Sequence, residues 1–331
     1  MAAKRPPVRA KKKKSKSARR KLLCILSRKR SLYSTSRMVE AGKKQGHRVI
    51  VFDTLRCNLV LGLHGPSMVY RGVQVRGLHS VIPRIGASIT GYGLSVVNHL
   101  EMMGVPVVNG ATAIARSRDK LRCLQLLSKA GLPIPRSVLA RDRRDLVQLV
   151  DEIGGLPCII KLIKGTQGVG VMIAHTMDEA KTMLDTFWNL DQEIVLQEFI
   201  AESRGRDVRA LVVGDKVVGA MRRQAKKGEF RSNLHRGGEG SPIELPREYV
   251  EAAIKAARVT GLHVAGVDML ESSEGPKIME VNSSPGFEGL ERATGEDIAG
   301  AIVEHAMWFG DAMSNQAGSR ASPPLRRLIE S

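Results

Sequence analysis

Two segments near the C-terminus constrain the fold most. His263-Val-Ala-Gly-Val-Asp-Met-Leu270 and Lys277-Ile-Met-Glu-Val-Asn282 flank Ser272-Ser-Glu-Gly-Pro276. Two alternating runs around a short Gly- and Pro-containing linker predict an antiparallel hairpin. With the turn centred on Glu274, Asp268 faces Glu280 and Asn282 shares their face, while Val267, Met269, Met279 and Val281 form the apolar one. Facing carboxylates repel, so a cation is expected between them. Oxygen ligands from Asp, Glu and Asn suit Mg²⁺, which keeps some waters and commonly shares its shell with nucleotide phosphate. The plainer alternative is a hairpin with one solvent-facing polar side. The loop Asn282-Ser-Ser-Pro-Gly286, suited to close backbone approach beside those ligands, favours the metal.

A hairpin needs a sheet to join, and 331 residues at 43% hydrophobic composition can bury a core of about two domains. Leu22–Leu26, Thr35–Gly46 and Val49–Phe52 predict strand, helix and strand, a β-α-β start. Strands at Met68–Val75, Ser80–Pro83 and Val105–Val108, with a helix at Leu94–Met103, complete a doubly wound α/β domain over 22–115. A helix at about Arg118–Ala130 follows, with Ser117 as N-cap and Gly131 and Pro133 as its stop. Beyond Leu156 the pattern becomes α+β: strands Pro157–Ile163, Val171–Ala174, Ile194–Phe199, Val208–Val213 and Lys216–Arg222, with helices Met177–Trp188 and Arg247–Thr260. The expected divisions are a basic tail (1–21), the α/β domain (22–115), a second domain (116–307) with lobes at about 116–200 and 201–307, and a loose tail (308–331), loosest from Ala312. No run of about 18 apolar residues exists, so no membrane span is expected, and Leu22–Leu26 is too short for a signal-peptide core. Four scattered cysteines without a C-x-x-C pair fit neither zinc nor a disulfide framework, and a cytoplasmic location is expected.

Charge narrows the partners. Residues 1–21 hold eleven of the Lys and Arg and no acid, which leaves +8 of the net +19 for the rest. Such a tail is expected to repel itself and be disordered, and either to attract polyanions such as RNA without sequence preference or to be a solvated arm. The basic body hints at a nucleotide or an acidic substrate.

Several classes drop out at the motifs. Ser27-Arg-Lys-Arg-Ser-Leu-Tyr-Ser34 after the first strand lacks the G-x-G-x-x-G of a dinucleotide site. Arg28, Lys29 and Arg30 there, and Arg84 in Pro83-Arg-Ile-Gly86, stand at carboxyl ends of strands, where α/β ligands bind; each is an anion contact or a solvated loop charge. Lys161 on a strand, followed by Gly165, Gly168 and Gly170, offers a charge and backbone N–H groups to phosphates, or forms an ordinary turn. It is not a Walker A loop, because the lysine precedes the glycines and a strand follows them. Glu198-Phe199-Ile200 ends an apolar strand whose backbone can pair with an adenine edge, and Asp207 can bind ribose hydroxyls, though singly both are generic. Met221–Gly238 concentrates cations, among them Arg223 and Arg231, of the kind that neutralise a transferring phosphoryl group, or it is an exposed loop. The H-R-D and D-F-G signatures of protein kinases are absent. A non-catalytic RNA-binding protein would leave the Asp268 and Glu280 hairpin without purpose.

Taken in order, Leu26-Ser-Arg-Lys-Arg-Ser-Leu-Tyr33, Pro83-Arg-Ile-Gly86, Ala115-Arg-Ser-Arg-Asp-Lys-Leu121, Lys161 with Gly165-Thr-Gln-Gly-Val-Gly170, Phe230-Arg-Ser-Asn-Leu-His-Arg-Gly-Gly238, Ala265-Gly-Val-Asp268 and Met279-Glu-Val-Asn282 carry a resemblance. Over about residues 22–306 the chain resembles the ATP-grasp superfamily, and within it the RimK-type ribosomal-protein glutamate ligases. The resemblance implies an N-terminal pre-ATP-grasp α/β domain and two α+β lobes clasping ATP between antiparallel sheets. It implies that Lys120 and Lys161 contact the nucleotide and its phosphates, that Glu198 and Phe199 hold adenine, and that Asp207 binds ribose. Arg231, Ser232 and Asn233 would line the triphosphate, and Asp268, Glu280 and Asn282 would bind two Mg²⁺ or Mn²⁺ ions, Glu280 bridging. The implied reaction joins free glutamate to an acidic acceptor through an acyl phosphate. The implied acceptor is the C-terminus of the sixth small-subunit ribosomal protein, with another acceptor left open. Phe199 stands where close relatives carry Tyr, a small change if the adenine contact is backbone. The basic tail lies outside the family core, so tethering to ribosome or RNA is a separate expectation, as is a homo-oligomer.

Overall fold

The structure, a computed structural model, describes residues 20–163, 170–226 and 238–319. Its first domain comprises β1 (Leu22–Leu26), α1 (Tyr33–Lys44), β2 (Arg48–Phe52), β3 (Cys57–Val60), β4 (Ser67–Tyr70), β5 (Val73–Gln74), β6 (Ser80–Pro83), α2 (Thr90–Met102) and α3 (Ala111–Arg118). The wholly apolar β1 is central, parallel to β2 on one side and to β6 on the other. The expected strand Val105–Val108 shrinks to one parallel bridge between Val107 and Val81, since Pro106 has no N–H for a ladder. The expected strand Met68–Val75 is broken by Arg71 and Gly72, both at positive φ (50° and 78°). It turns back on itself, and with β3, which the sequence pattern did not reveal, forms a separate antiparallel sheet β3-β4-β5.

The second domain opens with α4 (Lys120–Lys129). Its N-cap is Asp119, whose carboxylate accepts from Arg122 N at 2.9 Å, not Ser117. Ser117 lies inside α3, and its hydroxyl donates to Val281 O at 2.7 Å. The central lobe follows: β7 (Ser137–Ala140, not foreseen), α5 (Leu146–Glu152), β8 (Cys158–Leu162), β9 (Val171–Ala174), α6 (Met177–Asn189) and β10 (Ile194–Glu198). Its antiparallel sheet runs β7-β10-β8-β9. Its core, with Val150, Ile160, Leu184 and Leu196, draws only on this lobe.

The C-terminal lobe contains β11 (Arg206–Val213), β12 (Lys216–Gln224), β13 (Glu239–Pro242), α7 (Arg247–Thr260), β14 (Val264–Ser272), β15 (Gly275–Asn282), α8 (Glu288–Thr294) and α9 (Ile298–Ser319). Its sheet order is β13-β12-β11-β14-β15. Period-two alternation along β11 and β14 sends Val208, Ala210, Val212, Ala265, Val267 and Met269 to one face, against the alanine-rich side of α7. The opposite face is divided. At one end Leu211, Val213 and Val264 join Phe287, Leu290 and Ile302 in a core that also takes Leu23, Ile25 and Met38 from the first domain. At the other end Asp207, Arg209, Arg223 and Asp268 gather. The N-terminal domain and C-terminal lobe thus share one core. The helix α9 runs to Ser319, where a loose tail from 308 was expected. Packing of Ile302, Val303, Ala306 and Met307 into the core anchors it, and no proline interrupts it before Pro323.

Candidate active site at the charged end of the C-terminal sheet

The hairpin places Asp268 opposite Glu280 and Gly266 opposite Asn282, as the alternation predicts. The route differs. The turn is the tight Ser273-Glu274, with Ser272 paired to Gly275, and a bulge beside Asp268 takes up the one-residue offset. The bulge turns Ile278 (0% exposed) rather than Met279 into the apolar face. Gly266 is required here: a Cβ on it would lie 2.7 Å from Pro285 Cβ, so the 282–286 loop folds directly onto the strand carrying Asp268.

Across the sheet, Arg209 on β11 binds Asp268 through two hydrogen bonds of 2.6 Å. Arg223 on β12 binds Asp207 through Nε at 2.5 Å and a terminal nitrogen at 2.6 Å, and approaches Asp268 at 3.1 Å. The result is a chain of alternating charges, Asp207–Arg223–Asp268–Arg209, almost wholly buried. Burial alone would raise the pKa of Asp268, but Arg209 and Arg223 outweigh it and hold the group below the ordinary carboxylate range. Burial likewise opposes the Arg223 cation, and Asp268 and Asp207 reverse that, raising its pKa. Asp207 and Arg223 are each 2% exposed. In this arrangement Asp207 and Arg223 are bonded to one another, and Arg223 also reaches Asp268. Arg209, two residues along the same face of β11 from Asp207, was legible from that alternation and was missed.

Glu280 is exposed to the cleft. Three cations feel its charge: Lys120 at the start of α4, Lys161 on β8 and Arg118 at the end of α3. Lys161 donates to Gln197 Oε1 of β10, and Lys120 reaches Leu162 O at 3.5 Å. Burial pushes Lys161 down to about 8, Lys120 adding to the fall and Glu280 opposing it. Lys120 is lowered by burial, again against Glu280. Two partly desolvated ammonium groups opposite a carboxylate suit a polyanion lying between the lobes.

Among the described residues no three His, Cys, Asp or Glu side chains gather as a metal cluster. A divalent ion would therefore use two carboxylates and an amide. Asn282 fits through its Oδ1, which no described hydrogen bond engages; its buried Nδ2 also lacks a partner. Asp268 keeps lone pairs beyond those given to the arginines. Asp268, Glu280 and Asn282 are thus an all-oxygen set of the type a hard cation takes, with waters and phosphate to complete the shell.

The remaining candidates scatter. Glu198 accepts from Arg136 N at 3.0 Å and from its guanidinium at 3.3 Å, so its side chain is pinned within the central lobe, beside half-buried Phe199. Gly170, immediately before β9, stands at φ 76°, where a Cβ would meet the Leu162 side chain at 2.6 Å. Gly165, Gly168, Arg231, Ser232 and Asn233 lie outside the described residues. Arg28, Lys29 and Arg30 are exposed on the β1–α1 loop, Arg28 bound to Asp53 at 2.9 Å, and no described bond joins them to the site. Arg84 does reach it, donating to Pro285 O at 2.6 Å.

Comparison with known proteins agrees with this geometry. The RimK PreATP-grasp domain matches residues 22–114, and the RimK-like ATP-grasp domain matches 117–306. The chain belongs to the RimK-like ATP-grasp family. A probable alpha-L-glutamate ligase 1 of Hahella chejuensis is 54% identical over 280 residues, covering 85% of this chain and 92% of the relative. A probable alpha-L-glutamate ligase of Azotobacter vinelandii is 51% identical over 283 residues, covering 86% and 94%. The RimK-like fold recurs in the ATP-grasp ligase PsnB complexed with minimal precursor, Mg and ADP (TM-score 0.70, 23% identity, 89% of this chain and 100% of that one). It recurs in a RimK domain protein from Sphaerobacter thermophilus (TM-score 0.64, 21% identity, 86% and 98%). This RimK-like protein is therefore an ATP-dependent ligase, of a fold that works with ATP and a divalent metal. No described helix is long and apolar enough to cross a membrane.

Proposed function

We propose that the chain joins the amino group of free glutamate to a peptide carboxylate, the acceptor being the acidic C-terminus of the sixth small-subunit ribosomal protein. The observation that carries the reading is the pairing of Asp268 and Glu280, with Asn282 on the same face, under two desolvated lysines. A carboxylate cannot approach a triphosphate until charge on both is screened. Lys120 and Lys161 hold the phosphates from the central lobe, and the β10 end at Glu198 and Phe199 offers backbone to adenine. Gly165, Gly168, Arg231, Ser232 and Asn233 are assigned to the phosphates by family resemblance. Asp268, kept ionised and fixed by Arg209 and Arg223, would share with Glu280 and Asn282 the holding of two Mg²⁺ or Mn²⁺ ions. These would supply Lewis-acid charge at the transferring phosphoryl group. The acceptor carboxylate oxygen attacks the γ-phosphorus and ADP leaves; the glutamate amine then attacks the acyl carbon, loses a proton, and phosphate departs.

A peptide acceptor is also favoured by fold neighbours seen with bound precursor peptides. The +8 body suits an acidic tail, and the basic residues 1–21 suit tethering to ribosomal RNA in a cytoplasmic, homo-oligomeric enzyme. Purified protein with ATP, Mg²⁺, glutamate and a peptide of the ribosomal C-terminus should yield products heavier by whole glutamate residues. Phosphorylated peptide without amide would overturn the ligase reading, and glutamylation of other acidic peptides alone would overturn the acceptor.

A further inference from the structure

Six buried side-chain polar atoms among the described residues lack a partner, and four lie on two adjoining segments: Arg118 Nε, Asn282 Nδ2, Ser283 Oγ and Ser284 Oγ. The Ser117 hydroxyl ties these segments together by its bond to Val281 O at 2.7 Å. Arg84 is fastened to the same loop through Pro285 O at 2.6 Å, with its guanidinium carbon 5.9 Å from the centre of the Phe287 ring. Arg118 donates to Ile85 O, next to Arg84. Neither arginine has a carboxylate within ion-pair distance among the described residues; their other partners are carbonyls and, for Arg84, Ser34 Oγ at 3.3 Å. Burial and the neighbouring Arg118 push Arg84 down to about 10. Two adjacent guanidinium groups with no ion-paired carboxylate, Glu280 acting on Arg118 only from beyond that distance, are costly unless a ligand supplies one. The orphan atoms beside them can all donate: guanidinium N–H, amide N–H and two hydroxyls. A planar carboxylate is the anion an arginine fork matches with two parallel bonds. The nucleotide's expected cations, Lys120 and Lys161, are tied to the central lobe, whereas Arg84 and Arg118 belong to the first domain and its junction.

The geometry points to a carboxylate subsite, formed by Arg84, Arg118 and the Asn282–Ser284 loop, that receives the free amino-acid substrate. It rests on the ligase reading above for the identity of that amino acid as glutamate. The subsite would hold one carboxylate of glutamate beside the residues assigned to the metal, leaving the amine free to reach the activated acceptor.

The test is steady-state kinetics of the full chain with glutamate and ATP varied separately, alongside calorimetric titration of the ADP-loaded protein with L-glutamate, glutarate and inorganic phosphate. Arg118→Gln should raise the KM for glutamate about tenfold or more, the scale of one charged hydrogen bond, with the KM for ATP changed less than about twofold. Arg118→Lys should recover part of the loss. Ser284→Ala, a milder change that keeps the fold if Arg118→Gln does not, should raise the same KM by a smaller factor. Wild type should bind glutamate and glutarate, and phosphate weakly. A loss carried by the KM for ATP, an unchanged pair of KM values, or phosphate binding as tight as glutamate would each overturn the subsite. Glutamate bound and weakened by Arg118→Gln in a protein that forms no amide would uphold the subsite and refute the reaction.

Discussion

The two arginine clusters of this site are opposites. Arg209 and Arg223 are locked into a buried chain with Asp268 and Asp207, every carboxylate spoken for. Arg84 and Arg118, across the 282–285 loop, rest on carbonyls and a hydroxyl and have no carboxylate within ion-pair distance among the described residues. A paired cluster preserves geometry: it fixes Asp268 before any ligand arrives. An unpaired cluster stores an unmet electrostatic demand, which a ligand can satisfy. Position in the sheet explains the difference, because β11, β12 and β14 bring acids and bases into register, whereas Arg84 and Arg118 end elements of the first domain and its junction.

The largest effect is expected at Glu280, whose charge reaches Lys120, Lys161 and Arg118. Glu280→Ala should cut turnover by about 10²–10³-fold or more, the several kcal/mol of a lost metal contact. Being exposed, the residue should cost the fold no more than about 0.5 kcal/mol, read by urea unfolding. Undiminished turnover would remove Glu280 from the metal assignment. The clusters themselves should separate under the same substitution. Arg223→Met removes the bidentate partner of buried Asp207 and one of the two arginines on Asp268, and should destabilise the ligand-free protein by about 3–5 kcal/mol. Arg84→Met removes an unpaired cation and should change stability by less than about 1 kcal/mol, in either direction. Equal losses in urea titrations would erase the distinction.

The smallest effect concerns Lys161, whose folded pKa of about 8 lies below its usual 10.5. Between those values the unfolded chain binds a proton that the folded chain does not, so stability rises with pH across that window. Below pH 8 the penalty is in full force. Lys161→Met should therefore unfold at a higher temperature than wild type at pH 7, with the difference closing above about pH 10. ATP affinity of wild type should fall as the pH climbs past about 8. A difference in Tm that stays constant from pH 7 to 10.5 would refute the desolvation of Lys161.

Much of this was legible in residue order. Facing of Asp268 and Glu280 follows from alternation, although the turn is one residue tighter than expected and a bulge restores the register. The helix Arg247–Thr260 begins and ends where its pattern says, with Gly261 at φ 82° closing it. Ser117 misled because two helices meet there, and the carboxylate of Asp119, two residues on, is the acceptor for Arg122 N. The segment after Ala312 misled because its composition is weakly helical alone, while its preceding turns are packed on the first domain.

Local order determined most of the strands, the principal helices and the kind of oxygen and nitrogen groups available, since periodicity and side-chain chemistry are properties of neighbours in the chain. Only the tertiary structure decided which charges neutralise one another. Arg223 and Asp207, read as ligand contacts, are bonded to each other, and Arg118, read merely as part of a motif, keeps a buried Nε without a partner. The physical reason is that ion pairing and desolvation depend on distances between residues far apart in the chain, about two hundred positions for Arg84 and Pro285, which sequence spacing does not encode.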